Sequence, residues 1–534
     1  MEKIFNMKKL LKNNKAITLV ALVVTIVVLL ILAGVSINLV LGENGLITQA
    51  QEAKRKTEEA TQNDLADMNK IATELGKYGN TQSVFEGGTW NEVLGMCTPK
   101  LGTNMVGVYW SDGTKNDSGL YVASETSTNV EVTSDQAEFS WAEWYNYRAE
   151  TTEKLDSKKS RWANAKSLAD GSYFVWIPRY EYKILSGEHT STAGKIDVEF
   201  ISTNVTEPTK EGYKVHPAFT TNLQLGGWDK DISGIWVAKY EMSMEETNDG
   251  GKTWSNTEVN TANKTISDTV RAVSKPSQYA WSWINTSICF TNSLNYSEMQ
   301  STGSNSHLMK NSEWGAVAYL THSKYGRNEN EIAINNYYKD KNNYAKITGF
   351  STGLTQNIAV NTDEDYDNRY NGKNGMLSST TGNIYGIYDL SGGNWEYVSG
   401  IYSIFGTGNL ESLYNNVQYT RNGTLLNKLP NNDDSTKDVT VYPTTEKGKD
   451  DANITIHYED WKNMYGDAIY ETSGKVPSYN GAWNKDLAVD EYYQNTYYPA
   501  FMRGGSSCDD FSNNESSGIF AFDEGGGAYE YVRL

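Results

Sequence analysis

The chain has 534 residues and a formal net charge of −19, from 47 lysines and arginines against 66 aspartates and glutamates. A chain this acidic lacks the clustered basic residues that hold a phosphate backbone, which argues against a nucleic-acid-binding protein. It has three cysteines and five histidines, none in CxxC or HExxH spacing. This pattern argues against a disulfide-framework fold and against a zinc or imidazole-based metal centre.

The first predicted element is an apolar helix near the amino terminus. Residues 1–15 carry five lysines against one glutamate, and no charged residue lies between Ala16 and Gly42. Residues 17–37 are long enough to span a bilayer as a helix. The basic flank predicts a cytoplasmic amino terminus and an acidic remainder outside the membrane. A cleaved secretory signal is disfavoured because no small-residue cleavage site follows, whereas a simple signal anchor stays open as an alternative.

The segment KAITLVALVVTIVVLLILAGVSI resembles the amino terminus of type IV prepilins, in which a basic leader precedes a small residue, an apolar residue and Thr-Leu. The resemblance implies a leader at residues 1–16, a transmembrane or pilin-like helix at 17–41, and cleavage by a prepilin peptidase between Ala16 and Ile17. The family's assembly glutamate, five residues into the mature chain, is replaced by Ala21. Membrane anchoring is therefore predicted, and incorporation into a pilus is left open.

A polar helical stalk is predicted next, over residues 42–79. Its apolar positions recur at helical spacing, namely at Leu65, Met68, Ala72 and Leu75. Because this apolar stripe is narrow, packing on a neighbouring domain and use as a free stalk are both open.

From about residue 80 the chain changes to short aromatic and β-branched runs separated by Gly, Asn, Asp and Ser. Such runs predict strands, and the clearest are residues 105–110, 171–184 and 234–242. Residues 185–232 and 243–270 are predicted to be long polar loops. The outer region is thus expected to be α+β, with short strands, few helices and long loops.

One helix is predicted in the outer region, over residues 311–326. Ser312 is the predicted amino-terminal cap and Gly326 the predicted end, with Trp314, Val317 and Ala318 on one face. Further on, the charged residues 401–500 are expected to form an inserted surface loop or small subdomain.

Four segments in chain order resemble the formylglycine-generating-enzyme-like (sulfatase-modifying-factor-like) branch of the C-type lectin fold. They are GIWVAKYEM (234–242), HLMKNSEWGAVAYL (307–320), GNIYGIYDLSGGNWEYVSG (382–400) and FMRGGSS (501–507), with YVRL (531–534) as a fifth. The resemblance implies a C-type-lectin-like domain over residues 171–534, preceded by a strand-rich part at 80–170.

The resemblance does not extend to the catalytic chemistry of that family. Its oxidases bind copper through two cysteines shortly after the RGGS motif, and a thiolate pair suits Cu(I). Here Cys508 follows RGGSS and no second cysteine lies downstream. In the family's calcium site an asparagine aligns with Gly393, beside Asn394, so that site is also doubtful. The sequence therefore predicts no enzyme, no metal and no cofactor.

Residues 506–531 combine small polar residues with isolated Phe and Tyr, and contain no Lys, Gln, Met or Trp. This composition is typical of a binding surface, in which aromatics give rigid contact area and small polar residues give adaptable hydrogen bonds. It also resembles the variable region of target proteins of diversity-generating retroelements. Mutated AAY codons in such regions never encode Lys, Gln, Glu, Met or Trp. Glu515, Glu524 and Glu530 depart from the pattern and are assigned to fixed positions.

The resemblance implies a variable region at residues 501–534 and a binding face in which Phe511 and Tyr529 are aromatic anchors. The predicted ligand-binding residues are Ser507, Cys508, Asp509, Asp510, Phe511, Ser512, Asn513, Asn514, Ser516, Ser517, Asp523 and Tyr529.

The predicted function is that of an adhesin or receptor, anchored in the cell membrane by a single span or in a pilus, with its C-terminal domain outside the cell. Its expected partners are a protein or glycan on another cell or phage, the membrane, and a prepilin peptidase. One alternative is a structural minor type IV pilin or pseudopilin with a fixed adhesive domain. The other is a copper-dependent formylglycine-generating oxidase.

Overall fold

The computed structural model divides the chain into two compact units, Met1–Thr81 and Gln82–Leu534. The residues that the structure describes are 22, 24–28, 88–92, 94–102, 104–111, 128–132, 144–147, 160–246, 252–253, 270–282, 284, 286–300, 306–338, 346–353, 359–360, 366–402, 420–421, 424–425, 435–443, 453–454, 458–474, 481–488, 494–495, 500–505, 517–525 and 532–533.

In the first unit, Leu22 and residues 24–28 are helical and their side chains are exposed. The rest of the predicted apolar helix, the leader and the predicted stalk at 42–79 lie outside the described residues. Within the part of the chain that the structure describes, no helix has both the length and the apolar character that crossing a membrane requires.

The second unit is strand-rich α+β, with few helices. Its strands are β1 (Trp90–Asn91), β2 (Met96–Cys97), β3 (Met105–Ser111), β4 (Thr128–Val132), β5 (Asn164–Ser167), β6 (Tyr173–Pro178), β7 (Tyr180–Ser186), β8 (Lys195–Phe200), β9 (Lys214–Val215), β10 (Gly234–Ala238), β11 (Ser243–Glu246), β12 (Lys252–Thr253), β13 (Val270–Val273), β14 (Tyr337–Tyr338), β15 (Ala359–Val360), β16 (Trp395–Tyr402), β17 (Thr420–Arg421), β18 (Thr424–Leu425), β19 (Thr440–Tyr442), β20 (Asn453–Ile454), β21 (Gln494–Asn495), β22 (Ala500–Gly504), β23 (Gly518–Gly525) and β24 (Val532–Arg533). Its helices with described bounds are α1 (Thr286–Gln300) and α2 (Asn311–Thr321), with short 3-10 turns at Pro217–Phe219, Leu223–Leu225, Tyr366–Asn368, Gly375–Ser378, Tyr458–Trp461 and Trp483–Lys485.

The first large sheet is antiparallel and has the strand order β10-β6-β5-β3-β4. It confirms the strands predicted at 105–110 and at 234–242. The run predicted at 171–184 divides into β6, which pairs in this sheet, and β7, which pairs in a smaller one. In β10 the side chains alternate, with Ile235 and Val237 buried, as a half-buried edge strand requires. Strands from both sides of residue 170 pair in this sheet, so the sequence-based boundary between 80–170 and 171–534 runs through it.

The second large sheet collects the C-terminal segments. Its order is β19-β16-β22-β23, and β24 pairs with β16 on the side opposite to β22. β22 runs antiparallel to both of its neighbours, whereas β19 and β24 run parallel to β16. The polar loops predicted at 185–232 and 243–270 are interrupted by the smaller sheets β8-β7-β9 and β12-β11-β13, so both predictions were too broad.

Helix α2 confirms the predicted helix but not its ends. The helix ends at Thr321 rather than Gly326, and Lys310 occupies the cap position, where Glu313 accepts from its backbone N–H. Ser312 does not cap, because its hydroxyl donates to the carbonyl of Gly226 at 2.9 Å. All 11 helical residues are buried. The helix is therefore covered on every side, whereas the sequence predicted one apolar face.

The core is largely aromatic and surrounds α2. Its largest fully buried hydrophobic side chains are Trp144, Trp162, Trp281, Trp314, Trp395, Trp483, Tyr145, Tyr147 and Tyr180. A Cβ added at Gly315 would lie 2.1 Å from the carbonyl oxygen of Gly466, so the backbone after residue 464 packs directly on the helix. Described segments within 401–500 thus contribute to the core, whereas the charged runs that predicted a surface loop or small subdomain lie mostly outside the described residues.

Candidate functional site

Strands β22 and β23 enclose residues 506–516, which we call the binding segment. The binding segment and residues 526–531 lie outside the described residues, as do Ala16 and Ile17. The predicted contact residues that fall there are Ser507, Cys508, Asp509, Asp510, Phe511, Ser512, Asn513, Asn514, Ser516 and Tyr529. Of the predicted set, the structure describes Ser517 and Asp523.

Ser517 and Gly505 bring the two ends of the binding segment together. Gly505 has a left-handed backbone, with φ of 75°, and a Cβ at this position would lie 2.4 Å from the Cα of Ser517. Ser517 is only 5% exposed, whereas Asp523 is half-buried and in register with Met502 of β22. We call this contact between Gly505 and Ser517 the base contact. Because of it, the chain leaves the sheet at Gly505 and returns to it at Ser517, directly beside its point of exit.

A bulge in β23 follows the base contact. Gly504 pairs with Gly518 and Arg503 pairs with Phe522, so residues 519–521 have no register partner in β22. The bulge is buried, and two groups from outside the sheet bind its backbone. The indole of Trp314 donates to the carbonyl of Ile519 at 2.7 Å, and the N–H of Phe520 donates to the Asp486 carboxyl at 2.9 Å.

Arg503, the arginine of the RGG motif, is fully buried beneath this region. Its guanidinium donates to the carbonyls of Asp467 and Ala468 at 3.1 Å and 3.0 Å, and lies over the rings of Trp314 and Phe522. Burial lowers the pKa of Arg503 to about 10, against the opposing effect of Asp467, so the side chain remains charged at neutral pH. Arg503 therefore fixes the backbone of residues 467–468 to β22.

Buried acids surround the same part of the core. Burial raises the pKa of Asp467 to about 6, although its carboxylate accepts from the Tyr442 hydroxyl at 2.9 Å. Glu471 accepts from the hydroxyls of Tyr182 and Tyr319 at 2.6 Å and 2.9 Å, and from the half-exposed Lys214 ammonium at 2.6 Å. These hydrogen bonds offset the desolvation of the carboxylates and tie β7, β9 and α2 to residues 466–471.

The turn before β16, within the segment GIYDLSGGNWEY, is built around Asp389. The residue has a left-handed backbone, with φ of 67°, and is fully buried. Its carboxylate accepts from the N–H of Gly349 at 2.9 Å and from the Asn335 amide at 2.8 Å. Burial, together with the nearby Glu241 carboxylate, raises the pKa of Asp389 to about 7. The turn thus places a titratable acid in the core before β16.

A buried lysine lies close to this turn. The ammonium of Lys239 donates to the carbonyls of Ile384 and Gly386 at 2.5 Å and 2.7 Å, and lies 4.9 Å from the ring centre of Trp110. The side chain is 0% exposed, and burial lowers its pKa well below the ordinary value. Because its partners are carbonyls and aromatic rings, Lys239 holds the 384–386 backbone against β3.

The described residues contain no group of three or more His, Cys, Asp or Glu side chains arranged to hold a metal ion. Cys97 and Cys289 are both buried free thiols. The resembled oxidases bind copper through two cysteines after the RGGS motif. In this chain Cys508 is the one cysteine that follows RGGSS. The chain's own donor set therefore does not fit that copper site.

Sequence reasoning missed Glu471 and Asp486, because both lie in the stretch that it assigned to a surface insertion. No local signal marks them, since their roles depend on partners far away in the chain. Comparison of the chain with protein-family models gives no match, and comparison with curated proteins gives none either.

Proposed function

We propose that the chain is a surface-displayed ligand-binding protein, of adhesin or receptor type, anchored in the cell membrane or in a pilus. Its C-terminal face, carried by a C-type-lectin-like domain, is diversified by a retroelement. The basic, then apolar, amino-terminal sequence supports the anchor, with the amino terminus in the cytoplasm and the acidic region outside. The composition of residues 506–531 supports the diversified face.

The observation that carries the proposal is the base contact. Gly505 precedes the binding segment and Ser517 follows it, and these two residues are in contact at the end of a buried sheet. The strands on either side are fixed by Arg503 and by the bulge at residues 519–521. A connection whose two ends are fixed side by side is the kind of segment in which proteins tolerate sequence change. Such tolerance is what a diversified binding face requires.

The strand arrangement also supports a C-type-lectin-like domain. Three segments that carry the sequence resemblance, β16, β22 and β24, are neighbours in one sheet. β16 ends at Tyr402 and β22 begins at Ala500, so the sheet brings together motifs that are far apart in the chain. A fourth segment supplies α2, whose Trp314 binds the bulge.

We propose binding rather than catalysis for this region. Next to the base contact, the ionisable side chains of Arg503 and Asp486 are both buried and bound to backbone atoms. Ligand contact then falls to the binding segment, where the sequence supplies aromatic and small polar residues. A neutral or cationic surface on a protein or glycan is the favoured ligand, because the segment is acidic.

The test is to sequence the genomic DNA for several kilobases around the gene. We expect a near-copy of the codons for residues 501–534 beside a reverse-transcriptase gene, with differences mainly at adenines. The differing codons would identify the contact residues one by one. A neighbourhood of pilus-assembly genes without such a copy would contradict diversification and favour the minor pilin with a fixed adhesive domain.

The second test concerns the oxidase alternative and the location. We expect purified full-length chain to bind no stoichiometric copper, and protease treatment of intact cells to degrade residues 82–534. Stoichiometric copper binding would contradict the binding role. Protection of the outer region in intact cells would contradict surface display.

A further inference from the structure

We propose that Asp486 is a positioning residue that clamps the bulge of β23 and thereby fixes where the chain re-enters the sheet after the binding segment. The proposal rests on the proposed function, because it concerns how the binding face is preorganised. It assigns to a single side chain the task of holding the base contact closed.

Asp486 lies at the end of a turn with a strained backbone. Asn484 and Lys485 both have left-handed backbones, with φ of 62° and 68°. The turn is closed by three backbone hydrogen bonds. They run from Ala482 N–H to the Asp486 carbonyl at 3.0 Å, from Lys485 N–H to the Ala482 carbonyl at 3.1 Å and from Asp486 N–H to the Trp483 carbonyl at 3.1 Å. Left-handed conformations at residues other than glycine are costly, and persist where surrounding contacts dictate them.

Trp483 anchors this turn in the core. Its side chain is fully buried, and its indole N–H donates to the carbonyl of Gly187 at 2.9 Å. The same ring packs at 61° against Phe520 of the bulge, with the ring centres 5.3 Å apart. The turn and the bulge are therefore packed against each other as well as hydrogen-bonded.

The turn takes the place of a further strand at the edge of the sheet. β23 is the outer strand, and its outward N–H groups at Phe520 and Phe522 need acceptors. Phe520 donates to the Asp486 carboxyl at 2.9 Å, and Phe522 donates to the Leu487 carbonyl at 3.0 Å. Asp486 and the next residue, Leu487, thus supply acceptors for the outward N–H groups of β23 on both sides of Ala521.

The carboxyl of Asp486 also covers the first residue of β23. A Cβ added at Gly518 would lie 2.0 Å from an Asp486 carboxyl oxygen, so only glycine fits beneath it. Gly518 follows Ser517, the residue that touches Gly505. Displacement of the Asp486 carboxyl would therefore free the backbone next to the base contact.

Burial favours the neutral form of this carboxyl, which makes a conservative replacement informative. Burial, and then the nearby Glu331 carboxylate, raise the pKa of Asp486 well above its ordinary value. An asparagine has nearly the same shape, carries no charge and keeps an oxygen for the N–H of Phe520. An alanine removes the acceptor altogether.

The test is hydrogen exchange of the full-length chain, read in peptides that cover residues 517–525. We expect Asp486→Ala to speed exchange there by about tenfold or more, because a buried N–H loses its acceptor. We expect Asp486→Asn to exchange almost as slowly as the wild type. Asp389→Asn is the matched control, since this other buried acid does not contact β23, and it should leave residues 517–525 unchanged.

A second variant keeps the proposal testable if Asp486→Ala unfolds the chain. Gly518→Ala keeps the Asp486 side chain but adds a Cβ that displaces its carboxyl. We expect faster hydrogen exchange in residues 517–525 and unchanged exchange in β7. Equal acceleration in β7 in both variants would show a general core residue and overturn the proposal. So would unchanged exchange in either variant, or an Asp486→Asn variant as fast as Asp486→Ala. No ligand enters the experiment, so its failure is distinct from a failure of the binding function.

Discussion

Asp389 makes the stability of the folded state fall as the pH rises through mildly acidic values. The residue lies in the buried turn before β16, next to Glu241, and its pKa rises from an ordinary 3.8 to about 7. A group whose pKa is raised on folding stabilises the folded state fully below the pKa of the unfolded chain. That contribution is lost as the pH rises to the folded value.

The size of the effect follows from the two pKa values. Between 3.8 and about 7 the folded chain binds one more proton at Asp389 than the unfolded chain does. One such proton changes the free energy of unfolding by about 1.4 kcal/mol per pH unit, so the window accounts for about 4 kcal/mol. Asp467, whose pKa is raised to about 6, acts in the same direction over a narrower window.

The variant to compare is Asp389→Asn. Asparagine does not titrate, tolerates a left-handed backbone, and keeps one oxygen for the N–H of Gly349. We expect the wild type to lose stability relative to the variant by up to about 4 kcal/mol between about pH 4 and pH 7. The two curves should run parallel above this window, because Asp389 is then ionised in both states of the wild type.

The assay is urea denaturation of both proteins, followed by tryptophan fluorescence at a series of pH values. The difference between the two curves isolates Asp389 from acids such as Asp197 and Glu313, whose lowered pKa values act in the opposite direction. Identical pH dependence in the two proteins would refute the reasoning, because the buried carboxyl would then not be the titrating group.

Three further predictions concern other buried groups. Gly505→Ala should destabilise the chain by about 2–4 kcal/mol in urea denaturation, because its φ is 75° and a Cβ would meet Ser517; a loss below about 1 kcal/mol would contradict the base contact. Lys239→Met should cost about 1–3 kcal/mol in the same assay, since two buried carbonyls lose their donor; an unchanged midpoint would contradict this. Cys97 and Cys289 should resist iodoacetamide at about pH 8 until the chain unfolds, because burial raises the pKa of Cys97 to about 11 and that of Cys289 above its ordinary value. Mass spectrometry of the labelled chain checks the last prediction, and labelling of either thiol in the folded protein would refute it.

Strands were the most predictable elements of the fold. The runs around residues 105–110, 171–184 and 234–242 combine β-branched and aromatic residues, and each contains strands in the structure. This preference is a property of neighbouring side chains, so a short window of sequence contains it. The pairing of those strands across residue 170 is not local, and the sequence placed a boundary there.

Helix α2 shows where local signals fail. Ser312 is a good capping residue by type, yet its hydroxyl binds the carbonyl of Gly226. The helix stops at Thr321, and Gly326 instead donates to the carbonyl of Ser323 in the turns that follow. For Ser312 a partner far away in the chain competes with the local choice, and a sequence pattern does not contain that partner.

The 401–500 stretch shows the same limit for charge. Its acidic residues predicted a surface insertion, because burying an unpaired carboxylate is costly. In the structure Asp467, Glu471 and Asp486 are buried, and each accepts hydrogen bonds from buried donors. Composition indicates the cost of burying a charge but not the donors that offset it. Whether these acids are buried or exposed therefore depends on tertiary contacts.

The sequence by itself determined what local chemistry encodes: an acidic chain, an uncharged apolar segment behind a basic amino terminus, strand-forming runs, and a C-terminal stretch of aromatic and small polar residues. The tertiary structure alone decided that Gly505 and Ser517 touch, that Asp486 lies over Gly518, and that Arg503 is held by the carbonyls of residues 467–468. These contacts join positions that are distant in the chain. Their free energy depends on which groups meet in space, and the periodicity of a sequence does not specify that meeting.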